Sequence, residues 1–196
     1  AGKTPGGEGS RHSQGVSRSD SRIRDVLIIG SGAAGGAAAA HLAAAGHDVL
    51  ILEKDAHRRI KPCGGGMAAA VQQWFPFSLE PAVEQVIRRV DFSWCLEDPV
   101  VAELPGEAPF WIVRRERLDE LLAKHAIRSG GERSLTVNVS EVRKAEDTWE
   151  VEADDGRSWR SRALVIADGS GSPWPQQLGL GARQVQTAST MSVRLE

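Results

Sequence analysis

Cysteine is scarce: the 196 residues hold two, Cys63 and Cys95. Two thiols cannot build a disulfide framework, so a reducing, cytoplasmic compartment is the expectation. They do not stand at C-x-x-C spacing, and His12, His41, His47, His57 and His125 are scattered, which leaves no candidate metal site. Charge of one sign is missing too. Lys and Arg number 24 against 26 Asp and Glu, a formal −2, which offers no bulk attraction to nucleic acid or anionic lipid. The positive excess lies in residues 1–24, where Lys3, Arg11, Arg18, Arg22 and Arg24 oppose Glu8 and Asp20. That stretch has hardly an apolar residue, cannot repay its ordering entropy, and is expected to be a disordered tail, whether leader, linker or plain extension. The 41% hydrophobic content suits one soluble core or part of a larger one.

A membrane-spanning helix is excluded in the one place that resembles it. "RIRDVLIIGSGAAGGAAAAHLAAAGHDVLIL" (22–52) is basic, then long and apolar, but it carries Gly30, Gly32, Gly35, Gly36 and Gly46. Each glycine costs about 1 kcal/mol relative to alanine inside a helix. The run divides instead into a buried strand, "DVLIIG", a small-residue helix, "AAGGAAAAHLAAAG", with Gly46 as its C-cap, and a second strand, "HDVLILEKD". Gly30-Ser31-Gly32-Ala33-Ala34-Gly35 then falls at the strand-to-helix turn. There the first glycine permits the tight turn, the second lets a pyrophosphate approach, and the third lets helix and sheet pack closely. Glu53 closes the second strand, where an acid accepts hydrogen bonds from an adenosine ribose and disfavours a 2′-phosphate. The pattern predicts FAD or NAD.

A plain dinucleotide domain would continue into a crossover helix, but a loop follows: "KDAHRRIKPCGGGM". Beyond it, "MAAAVQQWF" reads as a helix, residues 86–105 as strand-rich, and "FWIVRRERLDELLAKHAIRSGG" as a strand leading into an amphipathic helix. Residues 135–166 alternate with period two around an Asp155-Gly156 hairpin turn, between Val151 and Trp159, and end in the apolar strand "ALVIADG".

Four motifs, "GSGAAG" with Glu53, "KPCGGGM", "RRERLDELL" and "VIADGSGS", give the chain its resemblance to the FAD-dependent monooxygenases and reductases typified by aromatic hydroxylases. Within that superfamily it resembles the geranylgeranyl reductases, through Lys61-Pro62-Cys63-Gly64-Gly65. The resemblance implies an α/β, Rossmann-like FAD-binding domain over 25–175, with a parallel sheet and an inserted β-meander. Residues 176–196, with "TASTMSVRLE", would begin an antiparallel substrate-domain sheet. It implies cofactor contacts from Gly30, Gly32, Ala34, Gly35, Glu53 and Lys54, and from Cys63, Gly64 and Gly66 beside the flavin. It also implies contacts from Arg115, with Leu118 standing where an aromatic is usual, from the Val139 backbone at the adenine, and from Asp168 and Gly169 near the pyrophosphate and ribose.

Glycines leave room for a flat ring against main chain. Cys63 there is a packing group or cofactor contact, a catalytic proton donor, or a site of oxidative regulation, and the nearby Arg58, Arg59 and Lys61 favour its thiolate. Cys95 is expected to be a small buried hydrophobe. Trp74, Trp94 and Trp111 are expected in the core or along an apolar channel for an isoprenoid tail. His41 reads as a packed or half-exposed side chain, and Glu116 and Glu120 as ion-pair partners on a solvated helix face.

The implied reaction is reduction of isolated carbon–carbon double bonds in a geranylgeranyl chain, on a chlorophyll precursor or a prenyl diphosphate, with NADPH or another donor reducing the flavin. The alternatives are another flavoprotein of the superfamily, a monooxygenase, halogenase or quinone-linked oxidoreductase, and a non-catalytic nucleotide-binding fragment. A long prenyl chain partitions into lipid, so peripheral membrane contact is expected. Family members are longer, so the chain is expected to be a partial form that binds FAD weakly or not at all.

Overall fold

The computed structural model describes residues 19–56, 61–107 and 109–180. Strand, helix and strand appear in the expected order as β1 (Ser19–Ile29), α1 (Ala33–Ala44) and β2 (Val49–Leu52). β1 begins inside the stretch expected to be tail: residues 19–24 belong to the strand, while 1–18 lie outside the described residues. The reason is electrostatic, since the Arg24 side chain is buried among carboxylates that hold the start of the strand. At the far end of α1, the Gly46 N–H donates to Ala43 O at 2.9 Å and the His47 N–H to Leu42 O at 3.1 Å. This is the paired bond set of a Schellman ending, with Ala45 as the cap and Gly46 one position beyond it.

The strap after β2 leads into β3 (Gly66–Ala68), β4 (Val83–Ile87), the hairpin β5 (Arg89–Trp94) and β6 (Glu97–Glu103), β7 (Phe110–Val113) and α2 (Arg115–Arg128). Then follow β8 (Glu132–Ser134), the meander β9 (Val139–Ala145), β10 (Thr148–Ala153) and β11 (Ser158–Ile166), and the short α3 (Trp174–Gln177). The main sheet has the order β8-β2-β1-β11-β10-β9. Its first four strands run parallel, and the meander completes it antiparallel, with Val151 opposite Trp159 across the Asp155-Gly156 turn.

Each face of β1 and β2 has its own core. Leu27, Ile29, Leu50 and Leu52 pack with Val137, Val151, Trp159 and Trp174 on one side. Val26, Ile28, Val49 and Ile51 pack under Ala39, Ala40 and Ala43 of α1 on the other. Burying each such aliphatic side chain contributes about 1.5–3 kcal/mol, and burial on both sides explains why these strands are continuously apolar. α2 is held close to α1: a Cβ on Gly36 would stand 2.9 Å from Leu122 Cβ.

Two expectations fail around β3 to β7, and a third, core placement of the tryptophans, holds only for Trp111. The stretch read as a helix from Met67 is instead β3 followed by a 3-10 segment, Ala69–Trp74, because Met67 pairs with Trp111 of β7 and is drawn into a three-stranded sheet. Cys95 is exposed, not buried: it and Leu96, with φ of 51° and 66°, form the two-residue turn between paired Trp94 and Glu97. That turn geometry normally selects Asn-Gly, so Cys-Leu carries no signal for it. Of the three tryptophans, Trp111 is in the core, whereas Trp74 and Trp94 are 68% and 76% exposed.

Candidate functional site

Three neighbouring parallel strands end level with one another. Ile29 is paired with Leu52 on one side and Ile166 on the other, so the residues that follow, Gly30, Glu53 and Ala167-Asp168, emerge at one edge. The Gly30 N–H donates to Leu52 O and the Ala167 N–H to Ile29 O, both at 2.8 Å. Gly30 has φ +95°, and a Cβ there would lie 2.6 Å from Ala167 O, so no other residue fits. A Cβ on Gly35 would fall 1.9 Å from Gly30 O, which is why the helix can start so close to the turn.

Glu53 is partly buried, and its carboxylate faces the turn. Oε2 accepts the Ser31 N–H at 2.7 Å and the Ser31 hydroxyl at 2.8 Å, and Oε1 accepts the Asp55 N–H at 3.0 Å. Burial pushes its pKa up, but those donors and the Lys61 charge outweigh it and hold the carboxyl below its ordinary value. The Glu53 backbone is fixed as well, bonding to Ser134 O and to the Val137 N–H, both at 2.9 Å. This brings the start of β9 to the same edge. The result is a cleft of about 680 Å³ walled by Gly30, Glu53, Lys54, Arg115, Val139, Asp168 and Gly169, with Lys61, Pro62 and Trp174. A smaller hollow of about 230 Å³ adjoins it across Glu53, with Ser31, Gly32, Lys61, Asp119 and Arg133 in its wall.

The Lys61–Met67 strap is pinned by its middle glycine. Gly65 is buried with φ +73°; its carbonyl accepts the Val113 N–H at 2.9 Å, and a Cβ would lie 2.1 Å from Val113 O. Cys63 is exposed, and its sulfur accepts the Gly65 N–H at 3.4 Å. That N–H, and the Arg115 guanidinium beside the sulfur, hold the thiol pKa below its ordinary value. Arg115 is itself gripped by Asp119 at 3.2 Å. The expected cations Arg58 and Arg59 lie outside the described residues; the one beside the thiol comes from α2.

The residues singled out from the sequence therefore divide. Gly30, Glu53, Lys54, Arg115, Val139, Asp168 and Gly169 line the cleft, and Gly32 lines the adjoining hollow. Gly35 lies behind the turn and Ala34 is exposed on the first turn of α1. Cys63, Gly64 and Gly66 stand on the strap outside the cleft wall. Sequence reasoning passed over Ser31, Lys61 as a wall residue, Gly65, Asp119 and Trp174. Gly65 was hidden by its glycine neighbours, and Trp174 opens the four-residue α3, too short a helix for its pattern to mark. Among the described residues no three His, Cys, Asp or Glu side chains group as metal ligands. "TASTMSVRLE" lies outside them.

A family model described as FAD binding domain matches residues 25–188. The chain belongs to that family. This FAD-binding domain is 32% identical over 165 residues to menaquinone reductase of Mycobacterium tuberculosis, covering 79% of this chain and 40% of that protein. It is 30% identical over 169 residues to digeranylgeranylglycerophospholipid reductase 1 of Methanopyrus kandleri, covering 80% and 42%. The chain thus spans about two-fifths of the length of these curated relatives. A geranylgeranyl bacteriochlorophyll reductase-like structure from Thermoplasma acidophilum shares the fold, with a TM-score of 0.72 at 20% identity over 84% of this chain and 44% of that one.

The residues present fit the cofactor. Asp168 Oδ1 is buried with no hydrogen-bond partner among the described residues, a cost of about 1–3 kcal/mol that a donor from a ligand would remove. The Gly30 and Gly32 backbone leaves the start of α1 open to an anion.

Proposed function

We propose that this FAD-binding domain is the cofactor-holding part of an oxidoreductase that reduces carbon–carbon double bonds of a geranylgeranyl chain, drawing electrons from NADPH or a comparable donor. The observation that carries the reading is the placement of the strap: Gly65 pins it so that Lys61 and Pro62 share a wall with Gly30 and Asp168. Support also comes from the 30% identity to a digeranylgeranylglycerophospholipid reductase.

In this reading Gly30, Gly32 and Ala34 receive the diphosphate at the α1 N-terminus, where free N–H groups and the helix dipole favour an anion, and Gly35 behind them lets the helix start that close to the turn. Glu53 turns from Ser31 to the ribose hydroxyls, Lys54 flanks it, and Val139 meets the adenine through its backbone. Asp168 and Gly169 lie near the pyrophosphate and ribose, with the Asp168 Oδ1 accepting a hydrogen bond from the cofactor. Arg115, Gly64 and Gly66 border the ring. The residues above would hold FAD, which, once reduced by NADPH or a comparable donor, would supply the hydride for one alkene carbon. Cys63 holds the proton for the other, and its lowered pKa makes it a readier acid while reducing the fraction still protonated at neutral pH. An unactivated alkene offers no charge to grip, so positioning must supply most of the rate. The lipid partitioning of a prenyl chain carries with it contact with a membrane surface. No helix among the described residues is long and apolar enough to cross one.

The test supplies FAD, NADPH and a geranylgeranyl substrate and reads product mass. A gain of two hydrogens per reduced bond supports the reading, and an added oxygen overturns it in favour of hydroxylation. A second reading, reduction of a quinone ring, is favoured by the identity to a menaquinone reductase. With a prenylated quinone as substrate, fragment masses show whether tail or ring gains the hydrogens.

A further inference from the structure

We propose that Lys61 is the cation that clamps the diphosphate of the bound nucleotide against the first turn of α1. The inference rests on the cleft being an FAD site and is independent of which bond the protein reduces. Lys61 Nζ lies 3.2 Å from where a Cβ on Gly32 would stand, so the ammonium covers the helix N-terminus through the space that the glycine leaves. Gly32 is the N-cap of α1, contributes no capping side chain, and is followed by no acidic residue in the first turn. The N–H groups there have only the helix dipole and whatever anion arrives to answer them.

Of the other cations of these walls, Lys54 lines the cleft but not the hollow at Gly32, and the two arginines are committed. Arg115 is paired with Asp119 at 3.2 Å and Arg133 with Glu120 at 2.9 Å. Lys61 makes no ion pair within 4.0 Å among the described residues, although Asp119 Oδ2 lies 3.9 Å from the same Gly32 position. Lys61 also lines the cleft and the adjoining hollow alike, which places it at the passage between them, beside Glu53. Its backbone is steadied by the rigid φ of Pro62 and by the Gly65 anchor on β7. A lysine suits the position, because a compact ammonium with three donors meets a diphosphate as a point charge without requiring a planar fork.

The competing role is local: Lys61 lowers the Glu53 pKa and serves the ribose only through that carboxylate. Calorimetric titration of the chain with ADP and with adenosine separates the two, since adenosine lacks the diphosphate. Lys61→Gln is expected to weaken ADP about 10- to 30-fold and adenosine less than about twofold, and the ADP loss shrinks as salt is raised. Lys61→Met, which keeps the apolar stem, must repeat the Gln result, and Lys61→Arg must recover most of the affinity. Unchanged ADP affinity in both neutral variants, or an equal loss for adenosine, overturns the clamp while leaving the FAD site intact. If the unaltered chain binds neither ADP nor FAD, the site assignment itself falls, and Lys61 with it.

Discussion

Arg24 and Glu132, 108 residues apart in sequence, meet with Nη2 2.9 Å from Oε2 at the end of the sheet opposite the cleft. The same guanidinium reaches Asp20 and Asp48 at 2.9 Å, and its side chain is 2% exposed. Burial works against its charge, but the hydrogen bonds to Glu132, Asp20 and Asp48 raise its pKa well above the ordinary value. One side chain ties together the start of β1, the turn before β2, and β8. Arg24→Met is expected to cost about 3 kcal/mol in denaturant unfolding, since it removes the buried partner of three carboxylates and leaves Asp20 and Glu132 only the exposed Arg22. A loss below about 1 kcal/mol would mean that solvent already screens the cluster.

Acid should loosen the same cluster. Asp20, despite burial that pushes its pKa up, is held below its ordinary 3.8 by the Arg22 N–H and Arg24; Glu132 is held below 4.5 by Arg24. For carboxyls depressed in the folded state the stabilisation is complete above those ordinary values and drains away as pH falls through the folded ones. Melting temperature is therefore expected to be flat from neutral pH to about pH 5 and to drop below about pH 4. In Arg24→Met the acid limb should be shallower.

Thiol chemistry offers a direct probe of the strap. With Cys95→Ser removing the exposed thiol on the hairpin turn, iodoacetamide reports Cys63 alone. Its alkylation midpoint is expected below that of a free cysteine, because the Gly65 N–H and Arg115 stabilise the thiolate. Arg115→Gln should move the midpoint up. An unshifted midpoint in that variant would place the guanidinium elsewhere in solution.

Adjacent glycines in the strap should respond oppositely. At Gly65 a Cβ meets the Val113 carbonyl at 2.1 Å and φ is +73°, so Gly65→Ala is expected to cost more than about 2 kcal/mol and to release the strap. At Gly64 a Cβ meets nothing within 4 Å, so Gly64→Ala should stay within about 0.5 kcal/mol. Thermal unfolding of the two single variants decides it, and equal effects would deny the anchoring role.

The strand, glycine turn, helix and acid-ended strand from Val26 to Glu53 were legible because every local signal there agrees: apolar continuity, small residues and helix ending all point one way. The meander was legible from its period and from Asp155-Gly156. The stretch from Gly66 to Val113 was not, because its short segments take their form from partners far along the chain, as Met67 does from Trp111. The sequence by itself determined the nucleotide-binding motif, since the turn needs glycine at Gly30 whatever surrounds it. Only the tertiary structure decided that Lys61 lies over Gly32, that Arg115 stands beside Cys63, and that Gly65 is the anchor. These are contacts between elements, set by strand register and helix docking, and nothing local in the chain encodes the distance across which they meet.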